Sequence, residues 1–339
     1  MATVTILMAV FNAEKFLHKS LESLIHQTFS DIQIICIDDA SEDSSLQLLM
    51  DYASKDARIE VMRLKENHGQ AYARNMGIAI ATGKYICSID ADDWLADDAL
   101  EKAVKVFENF PETDSVLFNI QYMYPDRRQH GYAWHFTENK YPTFHDGSFQ
   151  VMSGYDAFIE SLSWGIHGWS IDKAELFRQY PYDDTCRFYS DDNTSHIHYL
   201  HSREVRCCSG IYYYRQNSQS TTHHIGIGRM DWMEAANSMR HQLETMNMQE
   251  HVLKLWEWER WKIVIDCYWF YFLHRRDLSD GDREYCKEKI KKAWEGINLS
   301  RLKDQPIYKL GWYPFPHHWR LFSLMEVLYF RMRYLLGRR

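Results

Sequence analysis

The sequence lacks several features that would assign a chain of 339 residues to a specialised class. It has no apolar run of about 18 or more residues, so no segment is expected to span a membrane. Its net charge of -8 lacks the basic excess that general nucleic-acid binding requires. The seven cysteines form no C-x-x-C pair and no zinc-ligand spacing. These absences favour a chain in a reducing cytoplasm that binds no nucleic acid.

What is present describes an ordinary globular protein. Hydrophobic residues make up 45% of the chain and charged residues 25%, so a sizeable core is expected and disorder is not. The length suits one large domain, or a domain with an appendage. No signal-peptide pattern precedes the first strand-like segment, which agrees with a cytoplasmic location.

Residues 3 to about 119 alternate between strand-like and helix-like segments. This alternation predicts an α/β fold with right-handed crossovers and a mainly parallel central sheet flanked by helices on both faces. Apolar periodicity predicts strands at 3–10, 32–37, 59–64, 84–89 and 116–121, with helices at 13–27, 44–52, 70–81 and 97–109.

The rest of the chain divides into two regions of different character. Residues from about 120 to 227 are rich in glycine and aromatics and carry a weaker pattern, so a loop-rich region is predicted there. A helical, aromatic-rich extension is predicted for 228–339 as a separate unit, with helices at 230–246, 250–274, 283–294 and 319–336. The predicted boundary therefore divides the chain into 1–227 and 228–339.

Polar side chains follow four of the predicted strands where each strand ends. Asn12 follows the first strand, Asp39 the second, Asn67 the third, and the segment Asp90-Ala91-Asp92-Asp93 the fourth. Ligands of open α/β sheets bind outside the carboxyl ends of the strands. The sequence therefore predicts a binding site along this rim.

The acidic segment after the fourth strand is the strongest chemical signal in the chain. Asp90 and Asp92 are two positions apart, so a strand would turn both toward one face. Carboxylates this close repel one another unless a cation lies between them, and a hard divalent ion bound by oxygen is the natural partner. A solvated acidic turn or a helix N-cap cluster is the alternative, since aspartate is favoured there.

Several segments in the same order resemble family 2 glycosyltransferases, which have the GT-A nucleotide-sugar-binding fold. The resemblance covers roughly residues 3–224 and is densest in the first hundred. It implies a nucleotide-sugar-binding half at 1–120 and an acceptor-facing half at 121–227. The matching segments are TILMAVFNAE (5–14), SLIHQTF (23–29), IDDASED (37–43), ARNMGIA (73–79), GKYI (83–86), DADD (90–93), and YYYR (212–215) with Ser218, Ser220 and Thr221.

The resemblance implies how the donor, a UDP-sugar, is held. Ala9, Phe11 and Asp39 match positions that line the nucleobase pocket, where an aromatic ring packs on a pyrimidine and a carboxylate accepts its N–H. Phe11 stands where the family usually has tyrosine, and Ala9 where proline is common. The other residues matched to donor binding are Asn12, Asn67, Arg74, Asp90, Ala91, Arg215 and Ser220, with a helix-face salt bridge as the alternative for Arg74.

The resemblance also implies a metal site for Mn²⁺ or Mg²⁺. Asp90 and Asp92 match the family's D-x-D motif, and His223 is a further candidate ligand. His224 is an equally plausible substitute for His223. Asp93 is interpreted as an N-cap or as a residue that supports the ligands.

An inverting transfer needs a base for the acceptor hydroxyl. In the family this base is the aspartate of a Glu-Asp pair, which Asp191-Asp192 match with Asp191 in place of glutamate, so Asp192 is the predicted base. The alternative for both is an N-cap pair before a helix at 194–200. Trp169 resembles an aromatic that floors the acceptor cleft, and a core tryptophan is the alternative.

The resemblance implies a metal-dependent inverting glycosyltransferase. It would move a hexose or N-acetylhexosamine from a UDP-sugar to a hydroxyl of a glycan or lipid-linked oligosaccharide. A catalytically inactive sugar-binding module on the same fold is the first alternative. A sugar nucleotidyltransferase is less favoured, because residues 12–14 form no glycine-rich, basic phosphate loop.

The last predicted helix, 319–336, is amphipathic and basic, with Glu326 as its one acid. Such a helix can lie in an anionic membrane interface, here the inner face of the cytoplasmic membrane. Packing on the catalytic domain, or on a second subunit in a homodimer, is the alternative.

Overall fold

The protein is described by a computed structural model that covers residues 2–124, 130–134, 151–189, 191–216, 226–305 and 318–337. The chain divides into two compact units, Met1–Ser220 and Thr221–Arg339.

In the first unit the described residues form one ten-stranded sheet. Eight strands lie side by side in the order β3-β2-β1-β4-β9-β6-β10-β5, while β7 pairs with β6 and β8 with β10. The strands are β1 Val4–Val10, β2 Ile32–Asp38, β3 Ile59–Arg63, β4 Tyr85–Ser88, β5 Trp94–Leu95, β6 Thr113–Met123, β7 His130–Trp134, β8 Val151–Ser153, β9 Ser170–Lys173 and β10 Glu204–Arg215.

Strand direction confirms the predicted mainly parallel sheet. β3, β2, β1 and β4 are parallel neighbours, and β6 and β10 run parallel to each other. β9 is antiparallel to both β4 and β6, and β5 is antiparallel to β10, so only these two strands oppose the other six along the path. The carboxyl ends of β1, β2 and β4 therefore meet at one rim.

Helices cover both faces of this sheet, as the sequence predicts. The first four helices of this unit correspond to the four predicted ones with small shifts at their ends, and the third is shorter than predicted. The helices of this unit are α1 Glu14–Ile25, α2 Ser45–Ala53, α3 Gln70–Ile78, α4 Ala99–Asn109, α5 Gly154–Leu162, α6 Ala174–Gln179 and α7 Asp191–His201.

The alternation of side chains along β1 explains the two-layer core. Ile6 and Met8 face one cluster, which includes Leu21 of α1, while Leu7 faces a second cluster with Ala73 of α3. A Cβ at Gly77 would lie 2.9 Å from a methyl of Leu7, so glycine lets α3 approach the sheet this closely without displacing Leu7. This close approach fixes where α3 places its polar residues.

The second unit is helical in its described residues, in agreement with the predicted character of the tail. α10 begins three residues before the predicted start at 283, because Ser279 accepts a hydrogen bond from the Asp282 N–H and caps it. No helix of the described residues is both long and apolar enough to cross a membrane. The elements are a 3₁₀ turn at Ile227–Met230, α8 Asp231–Thr245, α9 Glu250–His274, α10 Asp280–Glu295, α11 Leu299–Leu302 and α12 Trp319–Leu335.

Candidate active site

The turns after β1 and β2 are held in strained backbone conformations and tied together. Asn12 has φ 49° and Ala40 has φ 59°, the left-handed region that most residues avoid. The Asn12 side-chain oxygen accepts the N–H of Glu42 at 2.8 Å, and its own N–H donates to Ser41 Oγ at 3.1 Å. Asn12 therefore links the two turns, while its role toward a donor stays a prediction.

The predicted nucleobase residues differ in exposure. Phe11, directly after β1, is 45% exposed, so its ring is accessible to a ligand. Ala9 is half-buried and packs against the core on the α3 side of the sheet. An exposed aromatic at a strand end is chemically suited to stacking on a flat base.

Asp39 organises the turn that follows β3. It is buried, and its carboxylate accepts the N–H groups of His68 and Gly69 at 2.8 Å each. Its carbonyl oxygen accepts the Asn67 amide at 3.0 Å. Each carboxylate oxygen has a second acceptor position, so Asp39 can hold this turn and still accept from a ligand.

Among the described residues, the acidic turn after β4 is the group of carboxylates that could hold a metal ion. Ligand atoms of Asp90, Asp92 and Asp93 all lie within 4.8 Å of one another. Burial raises the pKa of Asp90, opposed in part by the charge of Arg74. Burial, followed by the charges of Asp90 and Asp92, raises the pKa of Asp93 well above its ordinary value. Clustered carboxylates with this excess of negative charge fit a hard divalent cation.

Asp93 supports this turn and does not cap a helix. It is fully buried and accepts hydrogen bonds from the Tyr212 hydroxyl at 2.8 Å and the Arg215 N–H at 2.7 Å. The next helix, α4, begins at Ala99 with Asp98 at its N-cap position. The N-cap interpretation of Asp93 is therefore wrong, and the supporting role fits its contacts.

The other residues of the acidic turn are held from two further directions. The carbonyl of Ala91 accepts the Ser20 hydroxyl of α1 at 2.8 Å, and the Asp90 N–H donates to the Tyr212 oxygen at 3.2 Å. Arg215 Nε donates to the Asp92 carbonyl at 2.7 Å. Strand β10, which carries both Tyr212 and Arg215, thus sets the shape of the turn.

Arg74 joins the acidic turn to the Asp191-Asp192 pair. It lies on α3 with its side chain 5% exposed, and its two terminal nitrogens are 2.5 Å from Asp90 Oδ1 and 3.4 Å from Asp191 Oδ2. The guanidinium also lies 5.2 Å from the Tyr182 ring centre, in cation–π range. Arg74 is therefore a buried cation inside the candidate site, and both of its salt-bridge partners lie outside its own helix.

Asp191 and Asp192 occupy the first turn of α7, which begins at Asp191 and not at the predicted 194. They therefore lie within the helix and not before it. In this first turn the helix dipole favours ionised acids. Burial raises the pKa of Asp192 well above its ordinary value, and the charge of Asp191 raises it further. A carboxylate with a raised pKa is a stronger proton acceptor than an ordinary one.

Trp169 lies one layer behind the acidic turn. Its ring centre is 5.9 Å from that of Tyr212 and 5.2 Å from that of Tyr214, and the side chain is half-buried. It packs on the tyrosine that holds Asp93, so its contacts in this structure are those of a supporting aromatic.

The remaining predicted site residues divide into one that is placed and others that are not. The Arg215 guanidinium lies 4.7 Å from the Trp94 ring centre, beside the acidic turn. Ser220, His223 and His224 lie outside the described residues. Their predicted contacts with phosphate and metal stay predictions.

Three supporting residues were missed in the sequence. The Tyr212 hydroxyl bonds Asp93, the Tyr182 hydroxyl lies 2.5 Å from Ser88 Oγ, and Arg187 donates to the Asn67 side chain. Tyr212 belongs to a segment already matched to the family, so its place at a strand end was an available signal. Tyr182 and Arg187 lie in irregular segments and offered none.

Known proteins resemble this chain in sequence and in fold. Residues 5–158 match the model of glycosyl transferase family 2. An uncharacterized glycosyltransferase of Haemophilus influenzae is 39% identical over 102 residues, which are 30% of this chain and 41% of that protein. The match thus spans less than half of that relative.

Solved structures show the same fold at low sequence identity. S. aureus TarS 1-349 in complex with UDP-GlcNAc superposes with a TM-score of 0.68 at 15% identity, covering 99% of this chain and 92% of that one. The mannosyltransferase PcManGT from Pyrobaculum calidifontis, in complex with GDP-Man and Mn²⁺, gives 0.50 at 16% identity, covering 99% and 88%.

The described fold is the GT-A fold that the sequence predicts, and it is shared with these solved structures. The chain is similar to glycosyl transferase family 2 over residues 5–158, which are somewhat less than half of its 339 residues. These similarities favour a glycosyltransferase over the nucleotidyltransferase alternative.

Proposed function

We propose that this chain is a metal-dependent, inverting glycosyltransferase that moves a hexose or N-acetylhexosamine from a UDP-sugar to an acceptor hydroxyl. The acceptor is a glycan or a lipid-linked oligosaccharide of a bacterial surface polymer. Residues 1–120 form the donor half and 121–227 the acceptor-facing half. Seven free cysteines, four of them buried with pKa values raised by that burial, support a reducing cytoplasmic setting.

One observation carries the proposal. The Arg74 guanidinium binds Asp90 of the acidic turn and Asp191 of the α7 pair at the same time. A candidate metal ligand and a candidate base pair are thereby brought to one cation, although they come from distant parts of the chain. A glycosyl transfer needs both groups close to the same anomeric carbon.

Asp90 and Asp92 would hold the divalent cation, which supplies Lewis-acid stabilisation of the charge on the departing diphosphate. Asp93, bonded by Tyr212 and the Arg215 N–H, fixes their orientation. Asp90 and Asp92 thus serve the leaving-group side of the reaction.

Asp192 acts on the acceptor side. The acceptor hydroxyl gives its proton to the Asp192 carboxylate as its oxygen bonds to the anomeric carbon, and the bond from that carbon to the diphosphate breaks. Asp191 is held by Arg74, which favours its neighbour for the role of base. Removing such a base typically costs about 10²–10⁴-fold in rate.

Donor binding is tested by calorimetry with UDP, GDP and CDP, each with and without Mn²⁺. We expect UDP to bind and to require the metal, and Asp92→Asn to lose the metal-dependent part. Asp97→Asn is the matched control, since Asp97 is exposed and lies outside the acidic turn. Metal-independent UDP binding would contradict the assigned role of Asp90 and Asp92.

Catalysis is tested by screening UDP-sugars for slow hydrolysis and then comparing variants on the sugar that reacts. Asp192→Asn should lower the rate about 10²-fold or more while leaving UDP affinity unchanged. Asp184→Asn, an exposed acid on the preceding segment, should behave as the unsubstituted protein. UDP binding without hydrolysis of any sugar would favour the inactive sugar-binding module.

A further inference from the structure

Helix α12 has two apolar faces, and only one of them is covered. Phe322 and Phe330 point into the second unit, where Phe322 stacks on Trp294 with ring centres 5.1 Å apart and Phe330 lies 5.1 Å from Trp269. Glu326 lies on this same buried face. These contacts settle which side of the helix faces its own unit.

The opposite face carries a continuous exposed apolar stripe. Its members recur at intervals of three and four residues, so they lie along one side of the helix, away from Phe322 and Phe330. The helix is about 25 Å long, and the stripe runs its full length. The exposed fractions are Leu321 44%, Leu324 56%, Met325 55%, Leu328 49%, Met332 51% and Leu335 84%.

The charges on this helix identify what covers the stripe. Arg320 and Arg331 are exposed beside it, whereas Arg333 is held over the Trp269 ring at 4.5 Å. Glu326 is the one acid in α12; it is 6% exposed, and burial raises its pKa to about 7. Among the residues of α12 itself, the exposed side therefore carries arginine and no carboxylate.

A second copy of the same helix is a poor complement for this surface. Pairing two such stripes would bring arginines together without any acid on the exposed side of either helix to compensate them. A negatively charged, apolar-cored surface matches both features at once.

We propose that the exposed face of α12 docks on an anionic lipid bilayer, with the helix lying in the plane of the interface. The apolar stripe enters the boundary between headgroups and acyl chains, and Arg320 and Arg331 contact lipid phosphates. This inference stands on α12 alone and does not depend on the glycosyltransferase activity proposed above.

The test is sedimentation of the full chain with vesicles. It should bind vesicles of equal parts phosphatidylcholine and phosphatidylglycerol and bind phosphatidylcholine vesicles far more weakly. Leu324→Ser with Leu328→Ser should weaken binding about tenfold or more. Each of Arg320→Gln and Arg331→Gln should weaken it about fivefold, and added salt should do the same.

Met50→Ser is the matched control, because Met50 is 52% exposed on α2 and belongs to no stripe of this kind. It should bind vesicles as the unsubstituted chain does. Light scattering on the same samples tests whether a second copy of the chain covers the stripe instead. Absence of binding to anionic vesicles, or a dimer that Leu324→Ser with Leu328→Ser dissociates, would overturn the proposal.

Discussion

Replacing Arg74 with methionine tests the centre of the candidate site. The Arg74 side chain is 5% exposed, whereas Asp90 and Asp191 keep 36% and 30% of their side-chain surfaces exposed. Removing one partner of a fully buried ion pair costs about 3–5 kcal/mol, because the other charge stays buried. Here water reaches both abandoned carboxylates, so we expect Arg74→Met to lower the free energy of unfolding by about 2 kcal/mol at neutral pH.

The assay is urea unfolding followed by circular dichroism, with linear extrapolation to water. Lys105→Met is the control, since Lys105 is 61% exposed and pairs with Glu101 on the surface of α4. It should leave the free energy of unfolding close to that of the unsubstituted protein, because an exposed ion pair contributes little. Equal losses in Arg74→Met and Lys105→Met would refute the reasoning, as would an unchanged midpoint for Arg74→Met.

The effect should depend on pH and on metal. Arg74 stabilises the ionised form of Asp90, so its contribution is present above the pKa of Asp90 and is lost as pH falls through it. Burial raises the pKa of Asp90. As pH falls, the difference in free energy of unfolding between Arg74→Met and the unsubstituted protein should therefore begin to shrink at a pH above the ordinary pKa of an aspartate. Mn²⁺ should stabilise Arg74→Met more than the unsubstituted protein, because a cation then replaces the missing charge.

Two further predictions follow from the same site. Asp191→Asn should move the acidic limb of the pH profile of kcat/KM to lower pH. The base Asp192 must be ionised to act, and the charge of Asp191 is one of the causes that raise the pKa of Asp192. An unmoved limb would show that the limb does not report the ionisation of Asp192. Gly69→Ala should cost about 1–3 kcal/mol in urea unfolding, because Gly69 has φ 92° and the added Cβ would lie 3.0 Å from Arg187. Gly281→Ala, which meets no atom closer than 4.0 Å, should be neutral or slightly stabilising, and a similar loss there would show that the strain argument is wrong.

Local patterns in the sequence determined much of the fold. The first strand was predicted at 3–10 and forms at Val4–Val10, and the helix predicted at 250–274 forms at Glu250–His274. Periodicity predicts such elements because it records which side chains of one segment are buried. The acidic turn was equally readable, since Asp90 and Asp92 are neighbours in the chain and no tertiary contact is needed to bring them together.

The tertiary structure alone decided how these local pieces meet. Arg74 and Asp191 are 117 positions apart, and Tyr212 and Asp93 are 119 apart, yet these contacts hold the candidate site together. They form because β9, β6 and β10 follow β4 in that order across the sheet, an order that no local periodicity records. For the same reason the N-cap interpretation of Asp93 was wrong: its partners are supplied by β10, which is distant in the chain but pairs with β5 directly after Asp93. The sequence by itself thus determined which strand ends carry polar groups. The folding of distant strands into one sheet determined which of those groups contact the same cation, Arg74.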